Sequence, residues 1–297
     1  MVDLENSIAP TGPLDRPAVV LDKSFLRAAS NRQLLGLFAR FEVVVPQSLI
    51  FEILTASSTE DRVFCAERLR FSGQEFRIVE TTGTLLRFEI EHQKPCSPVL
   101  ELVRSPKAEL GARMAESPLT LRPGEDAGIR IWREDLGESV EAFLAESETI
   151  PRIFTDLANA KESTRKATAT TMRAQVAADS SHVLKLYSSM TNPTYPPVDG
   201  LNEDWAFFRR LQVHFLAALD QFGSHGPGLA QKIRTEKSRH ALENEVIDLD
   251  YRLIGVMVGG LATCDKDSAA AFQLLKPQGV LVERDWDPSS GLTGGTA

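Results

Sequence analysis

The chain of 297 residues is 42% hydrophobic and carries a formal net charge of −8. This length and composition can bury a core as one large domain or as two smaller ones. The negative balance argues against a broadly basic surface for nucleic acid, because neutralisation of phosphates by Lys and Arg dominates such binding. No run of about 18 apolar residues predicts a membrane span, and the acidic, proline-containing start lacks a secretion pattern, so the expected location is cytoplasmic.

Three short apolar segments in the N-terminal part predict buried strands. They are Ala18 to Leu21, Val43 to Val45 and Phe76 to Val79, and segments with helical spacing such as Thr59 to Phe71 separate them. Strands that alternate with helices are typical of right-handed crossovers in a parallel sheet. The predicted fold class is therefore α/β.

The middle of the chain differs in character from both ends. Residues 136–241 have helical spacing and loops without a convincing strand, and we interpret them as an α-helical insertion. Sheet character returns at Leu261 to Cys264 and at Val280 to Val282. The predicted organisation is an α/β core in two parts, 17–135 and 242–284, separated by the insertion, with flexible tails at 1–16 and 285–297.

Acidic residues follow two of the predicted strands directly. Asp22 follows the first strand and Asp265 follows a late one, and the carboxyl ends of parallel strands meet at one edge of a sheet. Either residue alone is typical of a helix cap. Glu52 lies on a predicted helix among apolar neighbours, and Asp250 shares a helical face with Leu253, so a partner or a metal is expected for Asp250.

The late acids indicate the kind of metal. Asp265 and Asp267 place two carboxylates on one turn, and their repulsion is offset by a divalent cation. Carboxylate oxygens without histidine or thiolate suit Mg²⁺ or Mn²⁺ rather than zinc. One or two such ions activate water and stabilise the charge of a phosphodiester during hydrolysis. The pattern therefore predicts a metal-dependent phosphoryl-transfer site.

Three segments resemble motifs of the PIN-domain nucleases. VVLDKSFL (19–26) resembles the first strand with its acid, VVPQSLIFEIL (44–54) the second strand and helix, and DYRLIGVMVGGLATCDKD (250–267) the late helix and strand. The resemblance implies a PIN-like three-layer fold around a central, mostly parallel sheet and an Mg²⁺- or Mn²⁺-dependent endoribonuclease. It also implies catalytic and metal-binding roles for the four acids Asp22, Glu52, Asp250 and Asp265, with Asp267 as a further ligand and Thr263 in support.

Several alternatives accompany the resemblance. Glu125 and Asp126 open a helix and are rivals of Asp250 for the third acid, although acids also stabilise a first turn. A non-catalytic PIN-like module that binds a protein or RNA through the insertion is a second reading. A third, an aspartyl-phosphate phosphotransferase, is disfavoured because Ser24 occupies the position where a second aspartate is expected.

The predicted partners follow from the local charge and from the family. Lys161, Arg165 and Lys166 lie in a cation-rich segment and are candidates for binding RNA, although such runs are usually solvated helix faces. The resemblance adds an antitoxin or other regulatory protein and a homodimer as candidate partners. It does not decide between RNA and DNA, or between a toxin, a defence enzyme and a processing enzyme.

Overall fold

The fold is taken from a computed structural model that describes residues 16–56, 58–71, 76–96, 103–104, 123–188, 194–226 and 236–290. Residues 1–15 and 291–297 of the predicted tails lie outside the described residues. Residues 285–290 are described, and there the ring of Trp286 lies 6.2 Å from that of Phe41. None of the helices within the described ranges is long and apolar enough to cross a bilayer.

A six-stranded sheet organises the α/β part of the chain. Its strands are β1 (Ala18–Leu21), β2 (Glu42–Pro46), β3 (Arg77–Val79), β4 (Val103–Arg104), β5 (Gly260–Ala262) and β6 (Val280–Val282). The spatial order is β4-β3-β2-β1-β5-β6, and only β4 runs antiparallel to its neighbour. The predicted α/β class with a mostly parallel sheet is thus confirmed.

The central strands are buried on both faces. Every residue of β1 and of β5 is buried, which requires protein on each side of the sheet and explains the continuous apolar runs in the sequence. Burial of one Val or Leu side chain contributes about 1.5–3 kcal/mol, so these short strands add substantially to stability. Continuous burial, rather than alternation, identifies β1 and β5 as the middle of the sheet.

The direction of the chain reverses between β1 and β5. The connections from β1 to β2 to β3 move one way along the sheet, and the connection from β5 to β6 moves the other way. Crossovers of the same hand then place their helices on opposite faces and open a crevice at the carboxyl ends of the two central strands. This switch point is where a ligand site is expected in an open α/β sheet.

The helices follow the strands in chain order. They are α1 (Lys23–Ala28), α2 (Asn31–Arg40), α3 (Gln47–Leu54), α4 (Thr59–Phe71), α5 (Thr82–His92), α6 (Pro123–Ser147), α7 (Ile150–Ile153), α8 (Thr155–Ala158), α9 (Glu162–Ala178), α10 (Ser181–Ser188), α11 (Ala206–His225), α12 (Glu236–Val258) and α13 (Lys266–Leu275). The segments predicted as helices around Leu242 and Val246 belong to the single helix α12.

The described residues form two compact units. We call the first the sheet unit, which comprises those up to Leu85, from Cys96 to Arg122 and from Ile254 onward. The second, the helical unit, comprises Leu86–Pro95 and Pro123–Leu253, so the predicted insertion, 136–241, lies within it. The boundaries fall inside α5 and α12, which explains why neither is marked by a linker composition.

The helical unit is built around α11, whose apolar residues are almost all buried. Its N-terminus has no cap from its own N-cap residue, Trp205. Instead, the carboxylate of Glu89, which is fully buried, accepts hydrogen bonds from the backbone N–H groups of Ala206 (2.6 Å) and Phe207 (2.9 Å). A negative charge at a helix N-terminus is favourable, and it satisfies donors that the helix leaves unpaired.

Candidate active site at the switch point

Asp22 and Thr263 emerge side by side at the carboxyl edge of the sheet. Leu21 on β1 is in register with Ala262 on β5, so the next residue of each strand leaves the sheet at the same level. The backbone N–H of Asp22 donates to the carbonyl of Ala262 at 3.0 Å and fixes this register. Asp22 is 3% exposed and Thr263 is fully buried. The sequence-predicted aspartate therefore lies at the switch point.

A network of hydroxyl groups joins the two strand ends. Ser24 donates from Oγ to Oδ2 of Asp22 at 2.6 Å, and the hydroxyl of Thr263 donates to the same oxygen. The two hydroxyl oxygens lie 3.1 Å apart. The backbone N–H groups of Cys264 (2.9 Å) and Asp265 (3.0 Å) donate to Ser24 Oγ and Thr263 Oγ1 respectively. The carboxylate of Asp22 is thus held in a fixed orientation by residues from both strands.

Burial makes the Asp22 carboxylate electrostatically unusual. Desolvation raises its pKa above the ordinary value of 3.8, although hydrogen bonds from Ser24 and Thr263 oppose the shift, and the negative charge of Asp265 raises the pKa further. The pKa of the nearby Cys264 thiol is also raised, first by burial and then by Asp22. A carboxylate that is costly to ionise beside a second carboxylate is stabilised by a cation.

Two exposed aspartates isolate what is special about Asp22. Asp179 and Asp287 each precede a serine by two residues and accept hydrogen bonds from its backbone N–H and its hydroxyl, as Asp22 does. In both cases the pKa of the aspartate is lowered, first by the backbone hydrogen bond. The local turn therefore favours ionisation, and only the burial of Asp22 reverses the shift.

Asp22 itself caps α1, whereas the sequence suggested Ser24 for that role. The side chain of Asp22 accepts from the backbone N–H of Ser24 at 3.0 Å. The prediction of Ser24 as the cap was wrong, because α1 begins earlier, at Lys23. Ser24 points its hydroxyl across to β5 instead, as the hydrogen bond from Cys264 shows.

Asp265 caps the helix that follows β5. Its Oδ1 accepts from the backbone N–H of Ser268 at 2.6 Å, and the residue is half-buried. Asp267 lies in the first turn of the same helix, α13, and is exposed. Of the two acids on this turn, Asp265 is therefore the one whose charge acts on Asp22.

Glu52 lies on α3 in the sheet unit and forms an ion pair with Lys23. The ammonium Nζ lies 3.6 Å from Glu52 Oε1 and donates to the main-chain oxygen of Glu52 at 3.3 Å. Both side chains are 19% exposed. Because Lys23 directly follows Asp22, this ion pair connects α3 to the loop that carries the buried aspartate. Sequence analysis missed the role of Lys23, since a single lysine in a helix carries no distinguishing signal.

The rival candidates for the third acid lie in the helical unit. Asp250 is on α12 and is half-buried, while Leu253 on the same helix is fully buried. Asp126 is exposed in the first turn of α6, and the side chain of Glu125 lies outside the described residues. The identity of a third acid therefore stays a prediction.

The predicted RNA-binding cations lie at the start of α9 in the helical unit. Lys161 and Lys166 are exposed, whereas Arg165 is half-buried. A Cβ atom added to Gly226 would lie 2.3 Å from a guanidinium nitrogen of Arg165, so this group packs on the backbone at the end of α11. Cations are favourable at a helix C-terminus, which gives Arg165 a structural contact that the two lysines lack there.

The switch-point residues suit a hydrated Mg²⁺ or Mn²⁺ ion. The donors available from Asp22, Ser24, Thr263 and Asp265 are all oxygens, which hard cations prefer. Among the residues that the structure describes, no group of three or more His, Cys, Asp or Glu side chains could hold a metal. Mg²⁺ is commonly held by one or two carboxylates and several waters, so this donor set fits such an ion but not a closed cage of acids.

The fold and the switch-point edge define an α/β protein with a carboxylate–hydroxyl site between its two central strands. Comparisons with protein-family models, curated proteins and solved structures found no match to this chain. Arguments about its function therefore rest on the residues and geometry of the chain itself.

Proposed function

We propose that the chain is a divalent-metal-dependent nuclease that hydrolyses RNA phosphodiester bonds at the switch-point edge. The observation that carries the proposal is the buried carboxylate of Asp22, whose pKa is raised by desolvation and whose neighbour Asp265 adds a second negative charge. The resemblance to PIN-domain nucleases places acids at the same points of the chain. Residues of this kind at this edge are those expected of such an enzyme.

The chain's own residues divide the work. Asp22 and Asp265 would hold the cation, and the hydroxyls of Ser24 and Thr263 orient the Asp22 carboxylate from both strands. When bound, Mg²⁺ or Mn²⁺ supplies an activated water and neutralises charge on the phosphate. The buried β1 and β5 keep the two acids in fixed register, and such preorganisation lowers the cost of assembling the site.

The direct test is cleavage of labelled RNA by the purified chain with Mn²⁺, with Mg²⁺ and with excess chelator. Cleavage is expected only with a metal, and Asp265→Asn is expected to lower it by at least about 100-fold, since even outer-shell partners of metals cost about 10- to 100-fold. Asn can still cap α13, so the fold is retained. A smaller loss is expected for Asp267→Asn, because Asp267 is exposed. Equal cleavage in chelator, or full activity of Asp265→Asn, would refute the proposal.

A second candidate is a non-catalytic module that binds RNA. The observation that favours it is that the known contacts of the acids are internal: both oxygens of Asp22 accept hydrogen bonds from the protein, and Glu52 pairs with Lys23. An RNA-binding module of this kind would bind its ligand without cutting it in any metal. The same cleavage assay, combined with a binding assay, separates the two candidates.

Both candidates predict a role for the exposed lysines of α9. Lys161→Gln combined with Lys166→Gln is expected to weaken RNA binding and to lower the salt slope by up to about 1.4, since each phosphate contact on a single strand adds about 0.7. Arg165 is left intact because it packs on Gly226. The measurement is fluorescence anisotropy across a salt series, and Lys185→Gln, an exposed lysine on α10, is the control. An unchanged slope assigns the lysines to solvated surface.

A further inference from the structure

The ion pair between Lys23 and Glu52 bears on how many cations the proposed site takes. Lys23 holds Glu52 through two contacts, one from Nζ to the carboxylate (3.6 Å) and one to the main-chain oxygen (3.3 Å). Both side chains are largely shielded from water, at 19% exposure each. A pair shielded in this way is screened less by salt than an exposed one, so it persists in solution.

A positive charge therefore already neutralises the acid that a second metal ion would use. In two-metal sites the ions lie about 3.5–4 Å apart, and each needs carboxylate oxygens of its own. Asp22 and Asp265 are enough for one hydrated ion. A divalent cation at Glu52 would have to approach the ammonium of Lys23, and the repulsion between like charges opposes its binding.

We propose that Lys23 takes the place of a second metal ion and restricts the switch-point edge to a single divalent cation. The inference rests on the proposed function, because it presupposes that Asp22 and Asp265 hold one ion. It makes Lys23 a residue that determines metal stoichiometry, and it assigns Glu52 to the ion pair rather than to the metal. Removal of the ammonium frees the Glu52 carboxylate for a second ion.

The experiment counts bound Mn²⁺ by electron paramagnetic resonance of the free ion during titration of the full chain. The wild type is expected to bind one ion, and Lys23→Gln two. Gln retains a donor for the main-chain oxygen of Glu52 while it removes the charge. The double variant Lys23→Gln/Glu52→Gln is expected to bind one ion again, because the freed carboxylate is absent. Circular dichroism verifies that each variant is folded.

Two further variants make the result specific. Lys266→Gln removes an exposed lysine next to Asp265 at the same edge and is expected to leave one bound ion. Glu52→Gln in the wild-type background is expected to bind one ion with unchanged affinity, and this arm does not depend on the folding of Lys23→Gln. A single ion in Lys23→Gln, two ions in the wild type or in Lys266→Gln, or lost binding in Glu52→Gln overturns the inference while the nuclease proposal stands. No bound Mn²⁺ in the wild type overturns both.

Discussion

Asp22→Asn is expected to lower metal-dependent RNA cleavage by at least about 100-fold, the upper end of losses seen for outer-shell partners of metals. The same substitution is expected to raise the melting temperature when chelator is present. Asn retains an oxygen that can cap α1, so the local structure is kept while the charge is removed. Opposite effects on activity and stability distinguish a functional carboxylate from one that only supports the fold.

The expected gain in stability follows from the direction of the pKa shift. The pKa of Asp22 in the folded chain lies above its ordinary value of 3.8, chiefly because of burial. The folded state therefore binds the proton more tightly than the unfolded state, and the resulting stabilisation is lost as the pH rises through the folded pKa. Near neutral pH the ionised carboxylate opposes folding, and Asn removes that cost. The difference between variant and wild type should shrink as the pH falls.

Cation binding should reverse the order of stability. Mn²⁺ stabilises only a chain that binds it, by about 2.7 kcal/mol at a hundredfold excess over the dissociation constant. Asp287→Asn is the matched control, since Asp287 makes the same hydrogen bonds to a serine two residues later but is exposed, with a lowered pKa. That variant should gain no stability and lose no activity. An Asp22→Asn chain that melts below the wild type in chelator, and cleaves RNA normally, would assign Asp22 to structure alone.

The sheet could be predicted from the sequence because its central strands are buried on both faces. Continuous runs such as Ala18–Leu21 and Val280–Val282 coincide with β1 and β6 at both ends. The position of Asp22 at the edge then follows from the parallel order alone. The two-residue β4 was not predicted, since a strand of that length has no periodicity and its pairing with β3 is decided by the tertiary structure.

The electrostatic details of the site could not be predicted from the sequence. Asp-x-Ser occurs at Asp22, Asp179 and Asp287 with the same local hydrogen bonds, and only the fold determines that the first is buried. The pairing of Lys23 with Glu52 joins residues far apart in the chain, so no local pattern indicates it. The predicted burial of Asp250 was only partial, because the apolar stripe of α12 leaves that residue at its margin.

Gly260→Ala is expected to destabilise the fold by about 3 kcal/mol or more, the upper range for a group forced into a packed interior. A Cβ atom at this position would lie 2.2 Å from the carbonyl oxygen of Ala18 and 2.9 Å from Val19 Cγ2. The first of these contacts is with backbone, which cannot move aside as a flexible side chain can. Relief requires β5 to move away from β1, and these two strands carry the groups of the proposed site.

Gly83→Ala is the matched control, since it introduces the same methyl group into an exposed helical position of the sheet unit. There the nearest side-chain atom, Thr81 Oγ1, is 3.8 Å from the added Cβ. Alanine in a helix is favoured over glycine by up to about 1 kcal/mol, so this variant should equal or exceed the wild type in stability. Urea denaturation measures both. A Gly260→Ala chain as stable as Gly83→Ala would mean that β1 and β5 pack less closely than the register requires, and the shared edge that positions Asp22 beside Thr263 would lose its basis.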